Sequence, residues 1–271
     1  MNDIYDRRAT HRTLIMGILN CTPDSFSDGG MFFEHDKAVD HALQMIADGA
    51  DIIDIGGEST RPGFTPVDEE DEIRRVIPVF EALKNKNVIL SSDTTKPKVA
   101  AAAAQAGCSI INDISGDLRS SGLADVAAEY NAHLVVMFNC RVNGACTGDI
   151  YDRMKKELTA NIDYALSRGV SRDRIIIDPG IGFGTTRQQD LDITKELHRI
   201  TGGRYPVLYA ASRKRIVGEL TGCGDDTLAR DCGSDALALY AVSQGASVIR
   251  SHRIKELKAG IAVFDRICED V

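Results

Sequence analysis

Short apolar runs rich in Ile, Leu and Val recur along the chain, separated by longer stretches whose apolar residues repeat at helical spacing. The runs at Leu14–Leu19, Asp51–Ile55, Val88–Ser92, Ser109–Asn112, His133–Met137, Arg174–Asp178, Pro206–Ala210 and Ser247–Ser251 predict strands. Between them Ala38–Asp48, Asp68–Leu83, Lys96–Gln105, Asp152–Arg168, Leu191–Ile200 and Asp231–Gln244 predict amphipathic helices. Gly49, Gly107 and Gly245 each follow a helical stretch and precede a strand, where a helix stop and a tight turn belong. Eight strands alternating with helices predict parallel βα units, and eight is the number that closes a barrel. The expected fold class is α/β: one (β/α)8 barrel over residues 13–271, preceded by a polar tail at 1–12. No Pro- or Ser-rich linker divides it.

The polar positions sharpen this picture. Clusters of Gly, Asn, Asp and basic residues follow the strands: 20–30, 56–63, 93–96, 112–113, 178–184, 212–214 and 250–252. In such a barrel these positions form the C-terminal face, where active sites are assembled. The composition fits a globular protein, with 43% apolar and 27% charged residues. Net charge is −8, without long basic runs, which argues against nucleic-acid or membrane-surface partners. No apolar stretch reaches the roughly 20 residues of a membrane span. The polar N-terminus has no apolar core of a secretion signal, and the seven cysteines lack CxxC spacing. Both point to reduced thiols and a cytoplasmic location.

Asp93, Asn112 and Asp178 each end an apolar strand, so a barrel brings them together in a partly buried mouth. Buried carboxylates need donors, and a flat ligand edge with adjacent N–H groups, as in an amino-pyrimidinone, satisfies two carboxylates and an amide at once. Capping of the next helix is the alternative for any one of them. Lys214, Arg250 and His252 follow the last two strands, the usual phosphate-binding end of these barrels. Asn20 offers an oxygen to a Mg²⁺ bridging a pyrophosphate. Gly180, Gly182 and Gly184 follow Asp178-Pro179 and suit close approach of backbone to a flat ligand. The loops at 22–30 and 60–63 read as mobile lids. The six histidines show no metal-ligand spacing, so no structural zinc is expected.

Taken in order, Met16-Gly-Ile-Leu-Asn-Cys-Thr-Pro-Asp-Ser-Phe-Ser-Asp-Gly-Gly30, Asp54-Ile-Gly-Gly-Glu-Ser-Thr-Arg-Pro-Gly63, Ser92-Asp-Thr-Thr-Lys-Pro97, Ile111-Asn-Asp-Ile114, Asp178-Pro-Gly-Ile-Gly-Phe-Gly184, Ser212-Arg-Lys214 and Arg250-Ser-His252 resemble the dihydropteroate synthase family. The resemblance implies a TIM barrel that joins p-aminobenzoate to 6-hydroxymethyl-7,8-dihydropterin pyrophosphate, a step of folate biosynthesis and a sulfonamide target. It implies a pterin pocket of Asp93, Asn112, Asp178 and Lys214. It implies pyrophosphate and Mg²⁺ contacts at Asn20, Arg250 and His252, with Asn20 as the metal ligand. It implies a p-aminobenzoate site from Thr60, Arg61, Pro62, Phe183 and Ser212. On the same resemblance Asn20, Lys214, Arg250 and His252 are the catalytic group, and the protein is a homodimer.

The chain departs from the family pattern at several positions. Phe138-Asn139 stand where His-Met is usual, and Thr185 where the glycine loop usually continues into Lys. Asp190 stands where Asn is common, Ala210 replaces a frequent Gly, and Arg253 follows the terminal His in place of Asp. These departures keep open a pterin-binding relative with weak turnover. A methyltransferase resembling the methyltetrahydrofolate–corrinoid enzymes would share the barrel, but would not need Lys214, Arg250 and His252 to face a pyrophosphate.

Overall fold

The computed structural model describes residues 12–22, 31–59, 65–142, 144, 146, 148–201, 204–224 and 226–268. Its strands are β1 (Leu14–Asn20), β2 (Ile52–Gly56), β3 (Ile89–Asp93), β4 (Ile110–Asp113), β5 (His133–Met137), β6 (Ile175–Asp178), β7 (Leu208–Tyr209) and β8 (Val248–Ser251). All pairings are parallel, in the order β6-β5-β4-β3-β2-β1-β8-β7. A single parallel bridge, Ile177 to Val207, joins the two ends and rounds the sheet into the expected barrel. That seam is thin because Pro206 has no N–H to donate; only its carbonyl contributes, accepting from Ile177 N at 3.0 Å. β7 is accordingly shorter than the predicted Pro206–Ala210.

The helices are α1 (Met31–Ala47), α2 (Glu69–Leu83), α3 (Pro97–Gln105), α4 (Leu118–Ser121), α5 (Leu123–Glu129), α6 (Ile150–Ser167), α7 (Arg187–Lys195), α8 (His198–Thr201), α9 (Arg215–Thr221), α10 (Thr227–Ser243) and α11 (Lys255–Cys268). Their starts are written in polar residues. Asp68, Asp149 and Asp226 accept first-turn N–H groups, and Thr186 with Gln189 closes a capping box on α7. The helix predicted over Leu191–Ile200 is two helices, because Glu196 leaves helical geometry at φ −124°. Gly107 ends α3 at φ +107°, where a side chain would be strained, as the sequence predicts.

Side chains alternate along each strand, so each stave feeds two cores. Leu14, Met16, Ile52, Ile89, Ile110, Val135, Ile176, Leu208 and Val248 fill the barrel interior. Their neighbours, among them Ile15, Ile53, Leu90, Ile111, Leu134, Ile175 and Ile249, pack outward against the helices. The interior plug closes the lower barrel and leaves the C-terminal mouth to polar side chains.

Cys140 and Cys146 are joined by a disulfide, with Cα atoms 6.0 Å apart. The expectation that all cysteines are thiols is corrected for this pair, whose Cα separation is within bridging distance. Cys21, Cys108, Cys223 and Cys232 are free. Burial pushes the Cys21 thiol up to about 12, so this cysteine is no thiolate nucleophile. Among the described residues no helix is long and apolar enough to cross a membrane.

Candidate active site

One pleat above the apolar plug the inward positions turn polar. Two residues beyond Ile52, Ile89, Ile110, Ile176 and Val248 stand Asp54, Ser91, Asn112, Asp178 and Arg250. One pleat higher still are Asp93 and His252. Five staves therefore deliver chemistry to one place simply because inward side chains recur every second residue.

Asp54 is the hub. Fully buried, it accepts from Ser91 Oγ at 2.6 Å, Asn112 Nδ2 at 2.9 Å and Arg250 Nε at 2.7 Å. Arg250 also donates through Nη2 to Asp93 Oδ2 at 2.6 Å. One guanidinium thus bridges two carboxylates from neighbouring staves, with Nη1 outside both ion pairs. Asp93 Oδ1 and Asn112 Oδ1 are buried and have no hydrogen-bond partner among the described residues. Buried polar atoms are seldom left so, and both belong to side chains at inward strand positions above the apolar plug.

Burial pushes the Asp93 carboxyl up to about 7, Arg250 opposing the shift and Asp54 adding to it. Because this carboxyl is raised on folding, the folded protein holds a proton that the unfolded chain has lost between roughly pH 4 and pH 7. Stability contributed by that proton is present below this window and falls as pH rises through it. Asp93→Asn is expected to remove up to about 1.4 kcal/mol per pH unit from the slope of unfolding free energy. Urea titrations from pH 4.5 to 7.5 measure it, and parallel wild-type and variant slopes would contradict it.

The loops after β6 and β7 supply the rest. Asp178 accepts from Gly180 N at 2.7 Å, which folds the chain sharply at the strand end. Burial raises the Asp178 carboxyl, and Lys214 opposes it. Lys214 Nζ donates to Ile181 O at 2.6 Å and lies 4.7 Å from the centre of the Phe183 ring; Arg141 covers the same ring at 5.0 Å. Burial pulls the Lys214 ammonium down to about 8, with Asp178 opposing. Ser212 Oγ is 3.0 Å from His252 Nδ1. Between Ser212 and Lys214, Arg213 takes a left-handed backbone at φ +57°. Ser234 Oγ accepts its N–H, and a bidentate pair to Asp231 at 2.6 and 2.9 Å holds its guanidinium.

The structure thus brings together Asp93, Asn112, Asp178, Lys214, Phe183 and Arg250 in one mouth, with the touching pair Ser212 and His252 at the ends of β7 and β8. Asn20 sits half-buried at the end of β1, in register with Gly56. Thr60, Arg61 and Pro62 lie outside the described residues, as do residues 23–30 of the first lid loop. Arg250, read from the sequence as a pyrophosphate contact, is tied first to the carboxylates Asp54 and Asp93. Sequence reasoning missed Asp54 as a site residue. Its signal was a charged residue inside the otherwise apolar run Ile52-Ile53-Asp54-Ile55, a position where a carboxylate survives only if paired.

Comparison with known proteins agrees with this geometry. A family model described as pterin binding enzyme matches residues 16–252. A dihydropteroate synthase of Streptococcus pyogenes serotype M6 is 44% identical over 256 residues, covering 93% of this chain and 95% of that protein. The chain belongs to the dihydropteroate synthase family. Another family member, from Bacillus subtilis, is 44% identical over 94% of this chain and 88% of its own length. Among solved structures, dihydropteroate synthase of Xanthomonas albilineans with 4-aminobenzoic acid superposes with a TM-score of 0.89 at 40% identity, covering 94% of this chain and 93% of that one. The Xanthomonas albilineans dihydropteroate synthase in complex with 7,8-dihydropteroate gives 0.84 at 37% identity, covering 94% of each chain.

Against the family pattern, the departures are internally satisfied. Asn139 Nδ2 donates to Ile114 O at 2.9 Å and its Oδ1 accepts from Arg141 N at 3.1 Å, tying two mouth loops together. Phe138 is buried in the outer core. Arg253 turns away from the mouth to Asp235 and Glu256. Ala210 is buried just past β7. Thr185 and Asp190 hydrogen-bond to each other beneath the glycine loop.

Proposed function

We propose that this mouth binds a pterin carrying a diphosphate tail and joins it to p-aminobenzoate, giving 7,8-dihydropteroate and pyrophosphate. The enzyme is a transferase of folate biosynthesis. One observation carries the reading: carboxylates and an amide from separate staves converge around Arg250, and buried oxygens of Asp93 and Asn112 are left without partners among the described residues. A ring edge with adjacent N–H groups supplies the donors they lack. Asp178 and Lys214 complete the ring's surroundings, the carboxylate as acceptor and the ammonium as donor.

In the reaction the C–O bond between the pterin's exocyclic methylene and the pyrophosphate breaks, and its electron pair leaves with the oxygen. The amine nitrogen of p-aminobenzoate forms the new C–N bond and releases a proton. Arg250, through the Nη1 left outside its two ion pairs, and His252, steadied by Ser212, stabilise the departing charge. Phe183, Ser212, Thr60, Arg61 and Pro62 form the p-aminobenzoate side, which a sulfonamide would occupy in competition. Enclosure of the mouth keeps water from the electron-poor methylene while the amine attacks.

Mg²⁺ belongs to this reading through Asn20. Among the described residues no three Asp, Glu, His or Cys side chains gather as a metal cage. One amide oxygen suits a Mg²⁺ held mainly by phosphate oxygens and water, so the donor set fits the ion. When bound it would neutralise charge on the pyrophosphate. A homodimer also belongs here: Leu220, Leu228, Tyr240, Val263 and Ile267 are large apolar side chains left exposed on α9, α10 and α11. A cytoplasmic location completes it, and the free thiols of Cys21, Cys108, Cys223 and Cys232 accord with that.

The test is pyrophosphate release from 6-hydroxymethyl-7,8-dihydropterin pyrophosphate with and without p-aminobenzoate. Release that depends on the amine and yields dihydropteroate is the expected result. Tight pterin binding without release would indicate a binding protein instead, and methyl transfer from methyltetrahydrofolate to a corrinoid would indicate a methyltransferase.

A further inference from the structure

Asp190 is fully buried beneath the mouth yet touches none of the groups assigned to substrate. Its Oδ1 accepts from Gly182 N at 2.9 Å and from Thr185 Oγ1; its Oδ2 accepts from Arg187 Nη1 at 2.5 Å. The residue cannot drift: its own carbonyl accepts from Thr194 Oγ1 at 2.7 Å, and Thr194 pairs with Tyr209 of β7 at 2.8 Å.

The N–H that Asp190 accepts belongs to the peptide unit whose carbonyl is Ile181 O, and that carbonyl receives the Lys214 ammonium at 2.6 Å. In a trans peptide the N–H and C=O point opposite ways, so one rigid plane carries a carboxylate on one side and an ammonium on the other. Rotating the plane breaks both bonds together. The carboxylate also polarises the peptide, which strengthens the carbonyl as an acceptor. The lysine stem runs along the same unit, since a Cβ on Gly182 would lie 3.4 Å from Lys214 Cδ.

We propose that Asp190 is a positioning residue for Lys214, acting through the Ile181–Gly182 peptide to fix where the ammonium points in the pterin pocket. This rests on the reading of Lys214 as a pterin contact. An asparagine at this position would keep the N–H acceptor but lose the charge. That charge matters because Lys214 faces Asp178 from β6, Asp190 from α7, Arg250 from β8 and Arg141 from the loop after β5. Of these the two carboxylates favour its protonated form, and Asp93 from β3 adds to them, since Lys214 in turn pulls the Asp93 carboxyl down.

A double-mutant cycle read by calorimetry with 6-hydroxymethyl-7,8-dihydropterin tests the link. Asp190→Ala is expected to weaken binding about tenfold in the native background and less than about twofold on top of Lys214→Ala. Equal weakening in both backgrounds, or none in the first, overturns the proposal. Unchanged pterin affinity in Lys214→Ala alone would remove that lysine from the pocket, and the proposal would fall with that reading rather than by itself. If Asp190→Ala does not fold, Asp190→Asn carries the test. Its affinity at pH 7 should stay within about twofold of native, with the alkaline loss of binding moved to lower pH. A native alkaline midpoint in that variant contradicts the coupling.

Discussion

Asp54→Ala is expected to remove about 3–5 kcal/mol of folding stability and all measurable turnover. The side chain has no solvent exposure and receives donors from β3, β4 and β8, namely Ser91 Oγ, Asn112 Nδ2 and Arg250 Nε. Truncation leaves all three aimed at empty space, and the guanidinium among them loses one of its two counterions. Breaking a buried pair costs more than the pair itself contributes, because the surviving charge stays buried. Asp54→Asn should lie between the two, keeping an acceptor for Ser91 but not the charge facing Arg250. Urea unfolding and pterin calorimetry separate the consequences. A fully active Asp54→Ala with native stability would mean that the mouth does not depend on this hub.

Gly180→Ala has the second large effect, expected at roughly 2–5 kcal/mol of lost stability from backbone strain and overpacking together. A Cβ there would sit 1.8 Å from Phe138 O, a backbone atom that cannot step aside, and the residue is held at φ +69°. The turn must open, which pulls Gly180 N from Asp178 Oδ1 and releases the buried Asp178 carboxylate from its fixed direction. Gly222→Ala is the control. It has φ +64° and nothing within 4 Å of an added Cβ, so only the conformational cost of about 1–2 kcal/mol remains. Thermal melts of the two variants measure the difference; equal shifts would show that the Phe138 carbonyl yields freely.

The staves were legible because each carries its own instructions: apolar residues for the plug, then a polar residue at its C-terminal end. Asp93, Asn112, Asp178, Lys214 and Arg250 could be picked out without coordinates, since each sits at or just beyond a strand end. What escaped was information spread across distant segments. Nothing local says that Arg250 would be shared by Asp54 and Asp93, lying 196 and 157 positions away. The helices α5 and α9 are too short for their periodicity to stand out. α11 follows the last strand, so no later strand marks it as the helix of a βα unit. The Cys140–Cys146 bridge depends on a loop path that spacing does not specify. Asp190 looked like a departure from the family pattern until the structure placed its acceptor under Gly182.

A structure of the protein with a bound pterin puts the convergence of these staves to the proof. The ring should donate to Asp93 Oδ1 and Asn112 Oδ1, the two buried oxygens now without partners, with Asp178 and the Lys214 ammonium at its edge. A ring lodged elsewhere on the barrel, with both oxygens still unpaired, would contradict the assignment of this mouth.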